Sequence, residues 1–404
     1  MLSADTEVVL LLCGRFGGER QEPSPPLSAR EYGDLAQWLN ARSLRPADLL
    51  TEEGKAQLSA LYEARLGPKR VDFLLGRGTA MALALERWSR SGLWVISRGD
   101  AEFPKRLKRH FRHAAPPLLY GAGRKELLDM GGLAIIGSRD ASEAALNCTR
   151  EVAAQCAREG MGVVSGGARG VDAVAMQGAI DAGGCAMGVL ANDLLKASVN
   201  RQNRLGLQEG RLVLVSPFYP EAGFSAGQAM GRNKYIYALS DRALVVDSAL
   251  GSGGTWAGAL EALDQQWVPL YVRTPGNGPG NAALVEKGGI AFAPGEGASL
   301  RDCLERAAPE VHPLSGPVQL QSPAAPVAHA VAGPVSLDMY EDFLAKLDLA
   351  LQAGPLLEAE VAERLGLEPG QAKAWLKKAV ASGRVDKLKN PVRYAPGVQA
   401  SLLG

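Results

Sequence analysis

Between about residues 130 and 295, short apolar runs alternate with helix-like stretches, and few folds accept that pattern. The runs are apolar throughout instead of apolar at every second residue, so each must be covered on both faces. A parallel sheet sandwiched between helices meets that requirement. Six runs qualify: Leu133–Ile136, Gly162–Ser165, Ala186–Leu190, Leu212–Val215, Ala243–Val246 and Val268–Val272. They predict a doubly wound α/β core, in which ligands sit beyond the carboxyl ends of the strands.

The flanks read differently. In residues 1–90, apolar positions Leu35, Trp38, Leu39 and Leu44, then Leu58, Leu61, Tyr62 and Leu66, recur at helical spacing and predict short helices. Leu93–Ser97 reads as a strand opening a core over 91–308. Residues 309–338 hold six prolines and no Lys or Arg, the composition of an extended linker. Beyond it, Tyr340, Phe343, Leu344 and Leu347 mark one helix, and Leu357, Val361, Ala362 and Leu365 a second. Gly366 ends the second, and a third begins at Pro369, a helix-turn-helix pattern. Gly383–Tyr394 reads as a two-stranded wing, so 339–404 is expected to be a winged-helix domain. Pro369–Tyr394 carries seven Lys or Arg and one Asp, and Lys373, Lys377, Lys378, Arg384, Lys387 and Lys389 are its candidate DNA contacts. A basic face that is only solvated while the domain docks a protein partner is the plainer alternative. Trp375 is assigned to the small domain's core.

The whole chain has 44 Lys+Arg against 43 Asp+Glu, so a nucleic-acid surface has to come from local clustering. Five scattered cysteines, without a CxxC pair, fit a reducing compartment. No run approaches the ~20 apolar residues that span a bilayer, and the first residues lack a signal-peptide pattern. A cytoplasmic protein without membrane contact is expected.

Three strand ends run into glycine-rich loops: Gly137-Ser138-Arg139, Ser165-Gly166-Gly167-Ala168-Arg169-Gly170-Val171-Asp172, and Gly251-Ser252-Gly253-Gly254-Thr255. Glycines let backbone N–H groups approach a phosphate, a following helix points its positive end there, and Arg139 and Arg169 suit phosphate oxygens. Each turn alone also serves as a plain strand-to-helix connection, and Asp172 suits the first turn of a helix. Arg232-Asn233-Lys234, beside Tyr235 and Tyr237, joins cations to rings as a single strand requires; the alternative is that both tyrosines only cover the sheet. Leu284-Val285 is a candidate apolar surface.

These pieces, in this order, resemble the DprA (DNA-processing protein A) family, also called Smf. The resemblance rests on Phe103-Pro104, Pro116–Gly121, Ile135–Arg139, the Ser165–Asp172 loop and Gly231-Arg232-Asn233. It continues through Ser252-Gly253, Pro275-Gly276, Gly280-Asn281 and Gly288-Gly289. It implies a Rossmann-like core with a helical, SAM-like amino-terminal region and a carboxyl-terminal winged helix. It also implies a homodimer that binds single-stranded DNA, protects it and loads a RecA-type recombinase, with no catalysis and no cofactor. Duplex DNA is a further expected ligand, through the winged helix. By motif, the DNA-contacting candidates are Gly137, Ser138, Arg139, Ser165, Gly166, Gly167, Arg169, Gly170, Arg232, Asn233, Lys234, Ser252 and Gly253. The chain departs from the family pattern at Met176, where histidine is usual, at Pro217, where glutamate is usual, and at Lys234, where arginine is usual.

No paired carboxylates, nucleophile with base, or metal-ligand spacing stands out; His110 and His113 have no acidic or cysteine partner near them in sequence. Two alternatives stay open: a scaffold whose loops bind nothing and whose winged helix docks a partner protein, and a nucleotide-binding enzyme or sensor of the same superfamily acting in antiviral defence. The acid of that enzyme would be Glu261, on the helix after the Gly251–Thr255 loop.

Overall fold

The computed structural model describes residues 2–17, 24–57, 66–276, 278–293 and 299–307. Within 343–396 it describes all but 345–346, 349, 352–353, 366–368, 382–383 and 389–391. The chain divides into two compact units, Met1–Leu314 and Ser315–Gly404.

The first unit opens with helices α1 (Ala4–Cys13), α2 (Ala29–Ala41), α3 (Glu52–Ala56), α4 (Pro68–Leu75) and α5 (Gly78–Arg90). There follow β1 (Leu93–Ser97), α6 (Lys105–Phe111), β2 (Leu118–Gly123), β3 (Leu133–Gly137), α7 (Glu143–Arg158), β4 (Val163–Ser165), α8 (Val171–Asp181) and β5 (Ala186–Val189). Then come α9 (Leu194–Val199), α10 (Arg201–Gln208), β6 (Leu212–Ser216), α11 (Ala226–Leu239), β7 (Arg242–Asp247) and α12 (Gly253–Gln265). The unit closes with β8 (Leu270–Arg273), α13 (Pro279–Glu286), β9 (Ile290–Phe292) and α14 (Leu300–Ala307).

The nine strands form one sheet in the order β1-β2-β6-β5-β4-β3-β7-β8-β9. The seven from β6 to β9 in that order run parallel, while β1 and β2 are added antiparallel at the β6 edge. From β3 the chain winds outward through β4, β5 and β6, then returns to place β7, β8 and β9 on the other side. The topological switch therefore lies between β3 and β7, where a doubly wound sheet opens a crevice.

All six predicted core strands are present, with ends moved by one or two residues. Two others escaped the reading. In β2 the run is broken by Gly121, over which Trp94 lies so closely that a Cβ there would strike its indole ring. Strand β9 has three residues, too few to show a period.

Helix α1 also went unread as a helix, because Val8 to Leu12 are all buried and leave no polar face to reveal a period. It shares one hydrophobic cluster with Val95, Leu118 and Tyr120 of the sheet, so the amino-terminal helices and the sheet bury a common core. The Thr6 hydroxyl ties α1 to the turn after β1, donating to Asp100 Oδ2 at 2.6 Å. Leu58, Leu61 and Tyr62 lie outside the described residues. The Leu284-Val285 surface is corrected: Leu284 is fully buried in the cluster that contains Val245, Leu270 and Val272, because α13 folds back onto the sheet.

At the start of α2, Ser28 and Glu31 form a capping box, and Arg70 Nη1 lies 2.6 Å from Glu31 Oε1. The Arg70 hydrogen bond, with the Ser28 backbone and hydroxyl, lowers the Glu31 carboxyl from 4.5 to about 2. A depressed acid contributes stability that is present above its unfolded value and lost as pH falls through its folded one. Glu31→Gln is therefore expected to cost stability at neutral pH and little near pH 2. Denaturant melts across that window check it; a wild-type-to-variant difference that does not change with pH contradicts the assignment.

In the second unit, Phe343, Leu347, Val361, Leu376, Val385 and Tyr394 form a small core. Helices Glu358–Arg364 and Pro369–Ala381 precede an antiparallel pair, β10 (Val385–Leu388) and β11 (Arg393–Pro396), with Leu356 bridging to Tyr394. Trp375 packs on Phe343 with ring centroids 5.0 Å apart, in the core where it was assigned.

Candidate nucleic-acid interface

The loops after β3 and β4 interlock at the switch point. Ser138 N–H donates to Asp247 O at 2.9 Å, joining the ends of β3 and β7, and Val171 N–H donates to Ser138 O at 3.3 Å. Ser165, fully buried, donates through Oγ to Ile135 O at 2.6 Å. Two glycines are required here. A Cβ at Gly166 would collide with the Arg232 guanidinium, and Gly170 sits at φ +80° with Ser138 O 2.5 Å from where its Cβ would lie.

Arg232 projects from α11 into the floor of this arrangement and is only 5% exposed. Its Nη1 donates to Gly166 O and to Val189 O, the latter at 2.6 Å, while Nε is buried without a hydrogen-bond partner. Among the described residues no carboxylate lies within ion-pair distance of it. Asp172 is nearby and equally buried; burial pushes its carboxyl up, while the Arg232 charge and the backbone N–H groups of Ala168, Gly166 and Gly137 pull it down. Burial lowers the Arg232 guanidinium, and Asp172 opposes that shift. The N–H groups that act on the Asp172 carboxylate belong to the loops that the sequence reading expected to cradle a phosphate.

Above Arg232 opens a cavity of about 430 Å³, lined by Arg139, the Gly166–Arg169 loop, residues between Leu190 and Asn200 after β5, and Phe224 and Ala229 around the start of α11. The Arg139 guanidinium lies 5.2 Å from the Phe224 ring centroid, a cation–π contact, and Phe224 is 59% exposed. Two further cations are held by acids at the rim: Arg169 by Asp140 at 2.9 Å, and Lys196 by Asp193 at 2.9 Å. The sequence reading missed Asn192, Asp193, Lys196, Asn200 and Phe224. A signal existed, since Ala191-Asn192-Asp193 follows β5 as the other loops follow β3 and β4, but it contains no glycine.

The structure therefore brings Arg139, Gly166, Gly167, Arg169 and Arg232 together, with Ser138 and Gly170 bracing the loops. It does not bring all of the Arg232-Asn233-Lys234 run there. Asn233 Nδ2 donates to Gly254 O at 2.9 Å, tying α11 to α12, and Lys234 Nζ sits 5.4 Å from the Phe111 ring. Ser252 and Gly253 are exposed at the start of α12 and do not line the cavity. Tyr235 and Tyr237 are 8% and 1% exposed, so neither can stack a base; the exposed ring is Phe224. Met176 is buried beneath the Gly166–Gly170 loop. Glu261, raised by burial and pulled back by Lys234, stands beside α11 outside the cavity. Among the described residues no group of three or more His, Cys, Asp or Glu is placed to hold a metal. In the second unit Lys373, Lys377 and Lys387 are exposed, and Arg384 pairs with Asp348 at 2.6 Å. The Lys378 side chain and Lys389 lie outside the described residues.

Residues 94–294 match the model of the family described as DNA recombination-mediator protein A. The chain belongs to the DprA/Smf family. It is 33% identical over 181 residues to Protein Smf of Escherichia coli K12, covering 43% of this chain and 48% of that one. With Protein Smf of Synechocystis it shares 27% identity over 216 residues, 51% of this chain and 53% of the relative. The chain thus spans about half the length of the curated relatives it matches. The X-ray structure of DprA from Streptococcus pneumoniae superposes with a TM-score of 0.56 at 18% identity, covering 72% of this chain and 95% of that one, a likeness of fold. The match to the DprA/Smf model spans β2 to β9 and so contains the crevice.

Proposed function

We propose that this protein is a single-stranded-DNA-binding recombination mediator that protects the strand and loads a RecA-type recombinase, without catalysing a reaction of its own. The observation that carries the reading is the crevice at the switch point, where buried Arg232 and exposed Arg139 stand beside an exposed ring, Phe224. Charge holds the phosphates and the ring stacks a base, a combination that suits an unpaired strand. Membership of a family described as recombination mediators supports the role. The nucleotide-processing alternative drew on the Gly251–Thr255 loop and on Glu261, and neither lines the crevice.

We propose further that 1–90 caps a core over 91–308, that 309–338 is a tether, and that 339–404 is a winged helix offering Lys373, Lys377 and Lys387 to duplex DNA. Two helices followed by a hairpin support the last assignment. A homodimer in the cytoplasm completes the proposal. Five free cysteines suit that compartment, and among the described residues no helix is long and apolar enough to cross a membrane.

Fluorescence anisotropy of a labelled single strand across a salt series tests the crevice. Arg139→Ala should weaken binding and flatten the dependence of log K on log salt by about 0.7, one phosphate contact on a single strand. Phe224→Ala should cost about 1–3 kcal/mol, one stacked base, with the salt slope unchanged. Wild-type affinity in both variants would sink the reading.

A further inference from the structure

Helix α6 and the turn after it carry Lys105, Arg106, Lys108, Arg109 and Arg112 within eight residues, and no acid stands among them. Arg106 is engaged, pairing with Asp241 at 2.6 Å and donating to Ser240 O at 3.2 Å. Lys105, Lys108, Arg109 and Arg112 are exposed, and among the described residues none has an acidic partner. Elsewhere on this unit arginines are commonly matched, as in Arg45 with Asp5 and Arg87 with Glu221. On a chain whose charges nearly cancel, this is a strongly cationic surface without its own counter-charge.

Its place relative to the crevice is set by α11. Arg106 contacts Ser240, just past the carboxyl end of α11, and the Phe111 ring packs on Tyr235 at 5.3 Å. Helix α6 therefore runs along the second half of α11 toward Arg232, at the middle of that helix. Tyr235 and Arg232 are three residues apart, about 4.5 Å along a helix axis. Lys234, which fails to reach the crevice, holds its ammonium over Phe111 and so adds its charge to the α6 surface.

We propose that α6, together with Lys234, is a second phosphate-binding surface that takes the stretch of single strand leaving the crevice; this rests on the crevice being a single-strand site. The chemistry favours it over the crevice rim in one respect. Arg169 and Lys196 must each release a carboxylate to take a phosphate, whereas the α6 cations have none to release. Binding there is backbone-directed and indifferent to sequence, because the surface offers charge and no free aromatic face.

The test uses the full chain and two labelled oligonucleotides, one of about six nucleotides and one of about 25, against site sizes of roughly 4–16 nucleotides for single-strand binding folds. The variant Lys105→Gln/Lys108→Gln/Arg109→Gln removes three charges from exposed positions. Its salt slope on the long strand is expected to fall by about 2, three phosphate contacts, with affinity for the short strand unchanged. The unchanged short-strand affinity also reports that the variant is folded. Arg139→Ala should weaken both strands. A triple variant that binds the long strand as wild type does, while Arg139→Ala weakens both, overturns the α6 surface and leaves the crevice standing. No effect of Arg139→Ala on either strand overturns the crevice, and the continuous path with it. Displacement of the long strand by polyglutamate of equal charge, as effective as unlabelled DNA and lost in the triple variant, also overturns the proposal and makes α6 a dock for an acidic protein.

Discussion

Arg232→Met is expected to lower the stability of the sheet-bearing unit by about 2–5 kcal/mol, as judged from buried hydrogen-bonded cations, and to remove single-strand binding. The side chain is almost wholly enclosed, and its Nη1 serves two carbonyls, Gly166 O and Val189 O, that end adjacent strands. Methionine fills the space but donates nothing, so both carbonyls lose a charge-assisted bond. Asp172, already raised by burial, also loses the cation that lowers it. Urea unfolding checks the prediction, through a lower midpoint with an unchanged slope. A midpoint within error of wild type would mean that Arg232 is not what braces the loops. Arg232→Lys should fall between, because an ammonium keeps the charge without the planar fork.

Trp88→Ala should cost about 3–5 kcal/mol, the range for truncating a buried large aromatic. Trp88 is 1% exposed and packs edge-on against Tyr120 at 5.4 Å and Tyr219 at 6.2 Å, joining α5 to β2 and to the loop after β6. Its indole N–H also donates to Glu221 Oε1 at 3.0 Å, and Arg87 donates to the same oxygen. Glu221 stands three residues before Phe224, so α5 anchors the loop that carries the exposed ring. Trp88→Phe separates the two roles: it keeps most of the packing, loses about 1 kcal/mol for the bond, and should weaken single-strand binding beyond that stability change. If Trp88→Phe binds as wild type does, the loop is held instead by its backbone pairs, Asp193 N–H to Ala222 O and Leu195 N–H to Pro220 O.

The core was legible because its signal is local. A run such as Leu212–Val215 is apolar at every position, and the need to cover both faces follows from those residues alone. The glycine loops after β3 and β4, and Asp172 in the first turn of α8, could be placed for the same reason. Strand β2 and helix α1 could not, since Gly121 exists to accommodate Trp94 and α1 is apolar at every position from Val8 to Leu12.

The site shows the boundary between the two kinds of information most clearly. The sequence by itself determined that glycine-rich loops would gather beyond the carboxyl ends of parallel strands, and that Arg232 would stand near them. Only the tertiary structure decided which residues face inward. Arg232, Asn233 and Lys234 follow one another on a helix, about 100° apart in direction, so the rotation of α11 against the sheet sends the first to the crevice, the second to α12 and the third to α6. The same packing buries Tyr235 and Tyr237, exposes Phe224 on a different loop, and sets Asp140 against Arg169 from 29 residues away. Backbone periodicity is written within one or two turns of chain, whereas exposure and ion pairing depend on which distant segment arrives to cover or oppose a side chain.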